Sequence, residues 1–384
     1  MLIMINLLSD ISYESIRNKM RNKRLVGIIH QLRIGGAERM MINILNYFVE
    51  EKIEVHLIIF TNIGLLKSSL HTNIIVHDLK SSSVKKGIPH CLIKIYEIKP
   101  NLVFSGIGHV NIALASFIPI MRILLPKTRW ISRETSIASL HNKHEKYTKI
   151  FNFLYRNVYK NYDKIITQSK YMKSDLDINF PSAGKKSLII NNSVDIDKVK
   201  QLASEPINYK FDKRKINLLS VGNLRFIKRH NLILKVLSKL PLNYHLTLVG
   251  DGNEKENLML LAKNLGILSR VKFEGHKTNP YPYIKSADLF ILTSEYEGFP
   301  NVLLEANSLA LPVVAFASPG GIKEIVEENI NGFLVENENI DKMVQQIKKA
   351  AVYNFDKIKI VERTAKHYSQ DIILKKYQEL FCLK

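Results

Sequence analysis

Short apolar runs alternate along this chain with longer stretches in which apolar positions return every three or four residues. The runs 25–32, 54–60, 74–79, 102–105, 129–132 and 164–168 read as strands, with helical segments between them. A second series follows at 188–190, 216–221, 244–249, 271–276, 289–292, 312–315 and 333–335. Strands that alternate with helices in this way predict doubly wound parallel sheets. A length of 384 residues allows two such domains, each with its own core.

The most informative stretch is 289–307, LFILTSEYEGFPNVLLEAN. It reads as a buried strand, a turn at Gly298, and a helix that Pro300 opens and Val302, Leu303, Leu304 and Ala306 continue. The helix amino terminus then points its unpaired N–H groups at the end of a sheet strand, which makes an anion site. Glu297 and Glu305 frame it, eight positions apart. That is too far for an acid/base pair on one atom, and suits two ends of one ligand. Taken singly, each glutamate also reads as a solvated side chain.

The block Glu297-Gly298-Phe299-Pro300-Asn301 through Glu305 resembles the EGFPNVLLEA block of glycosyltransferase family 4. The resemblance implies a retaining, nucleotide-sugar-dependent enzyme of GT-B fold: two Rossmann-like α/β domains facing across a cleft, the last helix crossing back to the first domain. It implies residues 1–23 as an extension, an acceptor domain over 24–190 completed by about 366–384, and a donor domain over 191–365. Glu305 would hold the ribose hydroxyls, Glu297 the sugar hydroxyls, and the backbone of Gly298, Phe299, Pro300 and Asn301 the sugar and distal phosphate.

Other segments extend the resemblance. Arg225 and Lys228, after the strand 216–221, match the family's basic pair for the donor diphosphate; fixed cations there stabilise the leaving charge. Gly35 and Gly36 form a strand–glycine–helix turn like the family's GGAE loop, and read otherwise as a tight turn needing small residues. Gly250 borders the nucleotide in the resembled pattern, and 273–277 with His276 presents backbone to the base. His109 lies just past a strand end and reads either as an acceptor or donor contact or as a surface polar residue. Where many relatives carry a histidine after the strand 129–132, this chain has Arg133 and Glu134, which become acceptor candidates. Asn191 to Asp195 resembles the turn into the second domain. The Asp-x-Asp strings at 175–177 and 195–197 read better as helix and turn residues than as metal ligands, and no metal or other cofactor is expected.

Charge changes the picture of partners. The net charge is +21, with 28 Lys and Arg against 13 Asp and Glu in residues 1–190, and 28 against 22 in the remainder. A basic first half implies an anionic partner. No nucleic-acid module accompanies it, so nucleic acid is not expected and an anionic membrane surface is. The segment 143–162 carries an apolar stripe at Tyr147, Phe151, Leu154, Val158 and Tyr162 with lysines and arginine elsewhere, and reads either as a lipid-facing amphipathic helix or as a helix packed on the sheet. The longest apolar run, 112–125, contains Pro119 and Arg122 and is too short to span a bilayer. Cys91 and Cys382 offer no disulfide framework, which fits a reducing cytoplasm. The expectation is a UDP-sugar-dependent transferase at the inner face of the cytoplasmic membrane, with a lipid-linked glycan acceptor in surface-polysaccharide (O-antigen or capsule) assembly. The rival readings are a non-catalytic basic binding protein on the same scaffold and a transferase with a soluble acceptor.

Overall fold

The computed structural model describes residues 23–33, 35–145, 147–206 and 211–382, so the extension read at 1–23 falls almost wholly outside it. The chain divides into two compact units: everything to Asn191 together with the segment from Ile373, and Asn192–Ile372.

The first unit is built on seven parallel strands: β1 Arg24–Ile29, β2 Glu54–Ile59, β3 Ile75–Asp78, β4 Leu102–Ser105, β5 Arg129–Arg133, β6 Lys164–Thr167 and β7 Ser187–Ile189. Their order is β3-β2-β1-β4-β5-β6-β7. Alternation along β1 sends Leu25 and Ile29 to one face and Val26 and Ile28 to the other, so the sheet is covered twice. Helix Gly36–Glu50 buries Met41, Ile44, Leu45 and Phe48 against the first face. Helix Gln370–Cys382 joins the same layer through Ile373, Leu374, Tyr377, Leu380 and Phe381, with Phe381 stacked on Phe48 at 4.9 Å. Arg129 donates to the carbonyls of Leu380 and Phe381 at 3.1 and 3.2 Å, a cation on the open end of that helix.

The segment 143–162 is not one lipid-facing helix. A helix Thr148–Asn157 is followed by a tight turn at Tyr159–Asn161. Phe151, Leu154 and Val158 pack on the core and Tyr162 is fully buried. Of the expected stripe, Tyr147 alone is an exposed large apolar side chain. The inward pull comes from polar partners under the helix: Tyr155 and Tyr159 donate to Glu134, and the hydroxyls of Tyr162 and Ser105 meet at 3.0 Å.

The second unit carries six parallel strands: β8 Ile216–Val221, β9 Tyr244–Val249, β10 Val271–Gly275, β11 Leu289–Leu292, β12 Val313–Phe316 and β13 Gly332–Val335. Their order is β10-β9-β8-β11-β12-β13. In each sheet the winding reverses once, between β1 and β4 and between β8 and β11. A parallel sheet opens its ligand crevice at that reversal, outside the carboxyl ends of the two strands. The loops that leave β1, β4, β8 and β11 are therefore where chemistry is to be sought.

Candidate active site

In the second unit, β8 ends at Val221 and the chain runs through Arg225 and a single turn Phe226–Lys228 into helix His230–Lys239. β11 ends at Leu292 and runs through Thr293 to Pro300 into helix Asn301–Ser308. The two loops are tied directly, since the Glu295 amide donates to the Ile227 carbonyl at 2.8 Å. The Thr293 hydroxyl donates to the Arg229 carbonyl at 3.0 Å and lies 3.2 Å from that of Lys228. The result is contact between the predicted cation and the predicted acid. Lys228 Nζ stands 2.6 Å from Glu297 Oε1, and the Ser294 hydroxyl donates to the same oxygen at 2.6 Å.

Arg229 holds a left-handed backbone, φ 50°, which costs a non-glycine residue roughly 1 kcal/mol. Its guanidinium reaches Glu295 at 3.5 Å and Glu338 at 2.5 Å, tying the basic turn to two neighbouring loops. Glu297 is fixed from behind. Its amide donates to Pro319 O at 3.0 Å, and the Gly321 amide donates back to Glu297 O at 3.2 Å. Asn192 donates to Phe299 O at 3.1 Å and to Asn301 Oδ1 at 2.5 Å, so the residue after the inter-unit boundary pins the turn. Phe299 points into the core and packs edge-on against Tyr368 at 5.5 Å. Phe299 and Pro300 therefore shape the turn.

Glu305 lies one helical turn and more beyond, half-buried, with the Tyr281 hydroxyl 3.4 Å from Oε1. Gly250 donates to Gly275 O at 2.9 Å, which brings the ends of β9 and β10 together beside the exposed His276. Near by, Glu274 accepts from Tyr283 at 2.8 Å and pairs with Lys277 at 3.0 Å. Burial works against the charge of Glu274, but these bonds prevail and hold its carboxyl below the ordinary range. Beneath Lys228, His230 is buried, and burial together with the Lys228 charge lowers its pKa to about 4.

In the first unit His30, just past β1, and His109, in the first turn of helix Gly108–Ala115 after β4, meet ring edge against ring face at 5.4 Å. Desolvation lowers both pKa values, with Arg33 adding to it for His30 and His30 adding to it for His109. Gly35 caps helix Gly36–Glu50, and the Glu38 carboxylate turns back over that first turn beside it. The expected phosphate cradle thus already holds a carboxylate of the chain itself. Burial raises the Glu38 pKa, against the pull of its own backbone N–H and of Arg133.

Arg133 and Glu134 do not present themselves to an acceptor. They are 1% and 2% exposed. β5 lies inside the sheet, and its end is closed by Tyr155, Tyr159 and Asn111, which all donate to Glu134. The Asp-x-Asp strings are structural. Asp175 accepts from the Ser139 amide at 3.0 Å, Asp177 pairs with Lys173 at 2.8 Å, and Asp195 caps helix Ile196–Leu202 through the Lys198 amide.

Sequence reasoning missed Ser294, Thr293, Arg229, Asn192 and His30. His30 carries the same signal as His109, a polar residue just past a strand end. Thr293 and Ser294 lie within the stretch 289–307, Asn192 within the turn 191–195 and Arg229 next to Lys228, and their part is to hold the backbone and side chains around them.

Two parallel doubly wound units with a basic turn set against a Glu-bearing loop at the reversal of the second sheet define the GT-B class of fold. The profile described as Glycosyltransferase Family 4 matches residues 34–198, and that described as Glycosyl transferases group 1 matches 204–359. A Campylobacter jejuni protein is 30% identical over 88% of this chain and 97% of its own length. It is named N-acetylgalactosamine-N,N'-diacetylbacillosaminyl-diphospho-undecaprenol 4-alpha-N-acetylgalactosaminyltransferase. An uncharacterized glycosyltransferase of Haemophilus influenzae is 30% identical over 81% of this chain and 85% of its own. Among solved structures, Anabaena HepE in complex with UDP-glucose superposes with a TM-score of 0.74 at 19% identity, covering 94% of this chain and 99% of HepE. WaaG, a glycosyltransferase involved in lipopolysaccharide biosynthesis, gives 0.72 at 15% identity over 93% and 99%. The chain belongs to glycosyltransferase family 4 and is a glycosyltransferase.

Proposed function

We propose that the protein is a retaining, metal-independent transferase that moves a hexose or N-acetylhexosamine from a UDP-sugar to a lipid-linked glycan during assembly of a bacterial surface polysaccharide. The Lys228–Glu297 pair with Ser294 carries the reading. Its two partners match the two ends of the donor: the ammonium suits the diphosphate and the carboxylate suits sugar hydroxyls. Each charge holds the other in position. Arg225, exposed at the head of the same turn, adds a second cation. Glu305, farther along helix Asn301–Ser308, is the group for the ribose hydroxyls, and Gly250 and His276 border the base. Gly35, Gly36 and His109 are the first unit's candidates for donor and acceptor.

In the reaction the bond from the anomeric carbon to the diphosphate oxygen breaks and a bond from that carbon to the acceptor oxygen forms on the same face. The acceptor's hydroxyl proton passes to the departing phosphate. Lys228 and Arg225 stabilise the leaving charge, which is why no metal is needed. The lipid-linked acceptor is supported by the Campylobacter relative, whose name places a diphospho-undecaprenol on its acceptor.

Lys228→Ala is expected to lower kcat by about a hundredfold or more, as loss of a transition-state charge contact does, with a smaller change in donor KM. Glu305→Ala is expected to raise donor KM with kcat nearly kept. Steady-state kinetics of UDP-sugar turnover separate the two, and wild-type behaviour of both variants would sink the assignment. Turnover in EDTA is expected to equal that in magnesium, and a loss that magnesium restores would refute the metal-free site.

A further inference from the structure

The turn Phe226–Lys228 borders more than the donor loop. Phe226 is 70% exposed, more than any other phenylalanine, tyrosine or tryptophan among the described residues. With the start of helix His230–Lys239 and one side of helix Lys255–Asn264 it encloses a cavity of about 130 Å³. Leu258 and Leu261 give that cavity an apolar lining beside the Phe226 ring, and neither Lys228 nor Glu297 lines it. Four polar side chains share the lining: Arg225, Asn231, Glu254 and Asn257. Among the described residues none of the four makes a side-chain hydrogen bond or an ion pair. His230 lines the cavity as well. It is 4% exposed, and its buried Nδ1 makes no hydrogen bond within the protein. A buried polar atom of that kind is rare and is met by water or by a ligand.

We propose that this cavity is a carbohydrate subsite that holds one pyranose ring of the glycan substrate, stacked on Phe226. The proposal rests on the reading that the acceptor is a glycan, and adds a second point at which the enzyme grips it. A pyranose has C–H faces and a rim of hydroxyls, each both donor and acceptor. The faces suit Phe226, Leu258 and Leu261. The hydroxyls suit a set that mixes a donor-only guanidinium, an acceptor-only carboxylate and two amides, and a hydroxyl serves His230 Nδ1 in either tautomer. Other ligands use only part of the lining. A phosphate would meet Arg225 but also the Glu254 carboxylate, and would leave the ring and the leucines in water. A nucleobase would stack on Phe226, but the donor reading already places one beside Gly250 and His276.

The test is saturation-transfer difference NMR of the full chain with the methyl glycosides of glucose, galactose, N-acetylglucosamine and N-acetylgalactosamine, with saturating UDP present to fill the donor site. At least one glycoside is expected to bind the wild-type chain with a Kd on the order of 1 mM, as suits a ligand of this size. Phe226→Ala and, separately, Asn257→Ala should weaken binding by about fivefold or more, while Phe226→Tyr, which keeps the ring face, should retain it. Leu242→Ala, at an 81% exposed apolar residue of the same unit, should leave it unchanged. All three substituted side chains are exposed, so thermal unfolding is expected to match wild type. The proposal is overturned if the wild-type chain binds none of the glycosides, if the Phe226→Ala and Asn257→Ala variants bind as wild type does, or if Leu242→Ala loses as much. Displacement of the glycoside by uridine or by inorganic phosphate, added above saturating UDP, would also overturn it, since the cavity would then belong to a base or an anion. UDP-sugar hydrolysis, measured separately on the same proteins, should be equal in wild type and all variants. A wild-type chain that binds a glycoside without turning over UDP-sugar would defeat the donor reading and leave the subsite standing. Turnover without glycoside binding would defeat the subsite alone.

Discussion

His230 begins its helix directly under the basic turn, and its imidazole has been driven down to about 4 by burial and by Lys228. Its Nδ1 is buried and makes no hydrogen bond within the protein. A base whose folded pKa lies below its free value takes up a proton first in the unfolded chain. Between pH 6.5 and 4 the unfolded state therefore holds more protons, and stability present above pH 6.5 is lost as the pH falls through that window. From pH 7 to 5 the loss amounts to roughly 2 kcal/mol. His230→Phe is expected to remove this part of the acid limb, with the urea midpoint compared at the two pH values in both proteins. An unchanged slope would mean that other groups carry it. At neutral pH the buried ring is therefore uncharged and adds no second positive charge beside Lys228.

At the scale of elements, the Glu297 turn depends on the loop before helix Ile322–Ile325. Gly320 has φ 116°, and a Cβ there would overlap the Glu297 carbonyl oxygen outright. Gly320→Ala is expected to cost about 2 kcal/mol or more and to raise donor KM, because the turn that carries the acid must move. Gly266→Ala is the control. It shares a positive φ, 68°, but its Cβ would meet open space, so it should cost about 1 kcal/mol and leave KM alone. Equal KM values for the two variants would show that the loop does not position Glu297. Elements of this kind were only partly legible. The strands 102–105, 216–221, 244–249 and 289–292 were read to the residue, because a parallel strand buried on both faces is a continuous apolar run. Segment 143–162 was left open between lipid and sheet because its helix has apolar residues on two sides, and periodicity does not say which side faces the sheet; Phe151, Leu154 and Val158 face the core. Arg133 and Glu134 were misplaced for a related reason: charged residues after a strand look exposed until tyrosines 20 or more positions away, such as Tyr155 and Tyr159, are seen to enclose them. The turn from Glu297 to Asn301 was legible as strand, turn and helix because its residues are contiguous in sequence. Ser294, Asn192 and Arg229 were not, since their part is to hold backbone and side chains that only the fold brings near.

At the scale of the whole molecule, the charge excess of residues 1–190 and the near balance of the remainder predict two different responses to salt. The Lys228–Glu297 pair is half-buried at 2.6 Å, with side chains 29% and 13% exposed, so added salt screens it weakly. A basic surface meeting anionic lipid acts over longer distances, and the screening length is already only about 8 Å at physiological ionic strength. UDP-sugar hydrolysis in solution is therefore expected to stay nearly constant as sodium chloride is raised from 50 to 500 mM. Transfer to a lipid-linked acceptor in anionic vesicles should fall severalfold over the same range, chiefly through a rise in the apparent KM for the acceptor. The comparison isolates the surface term because donor, enzyme and chemistry are common to both assays. A parallel decline in the two would place the salt-sensitive charges at the donor site, and constant rates in both would mean that the basic first half has no part in reaching the acceptor.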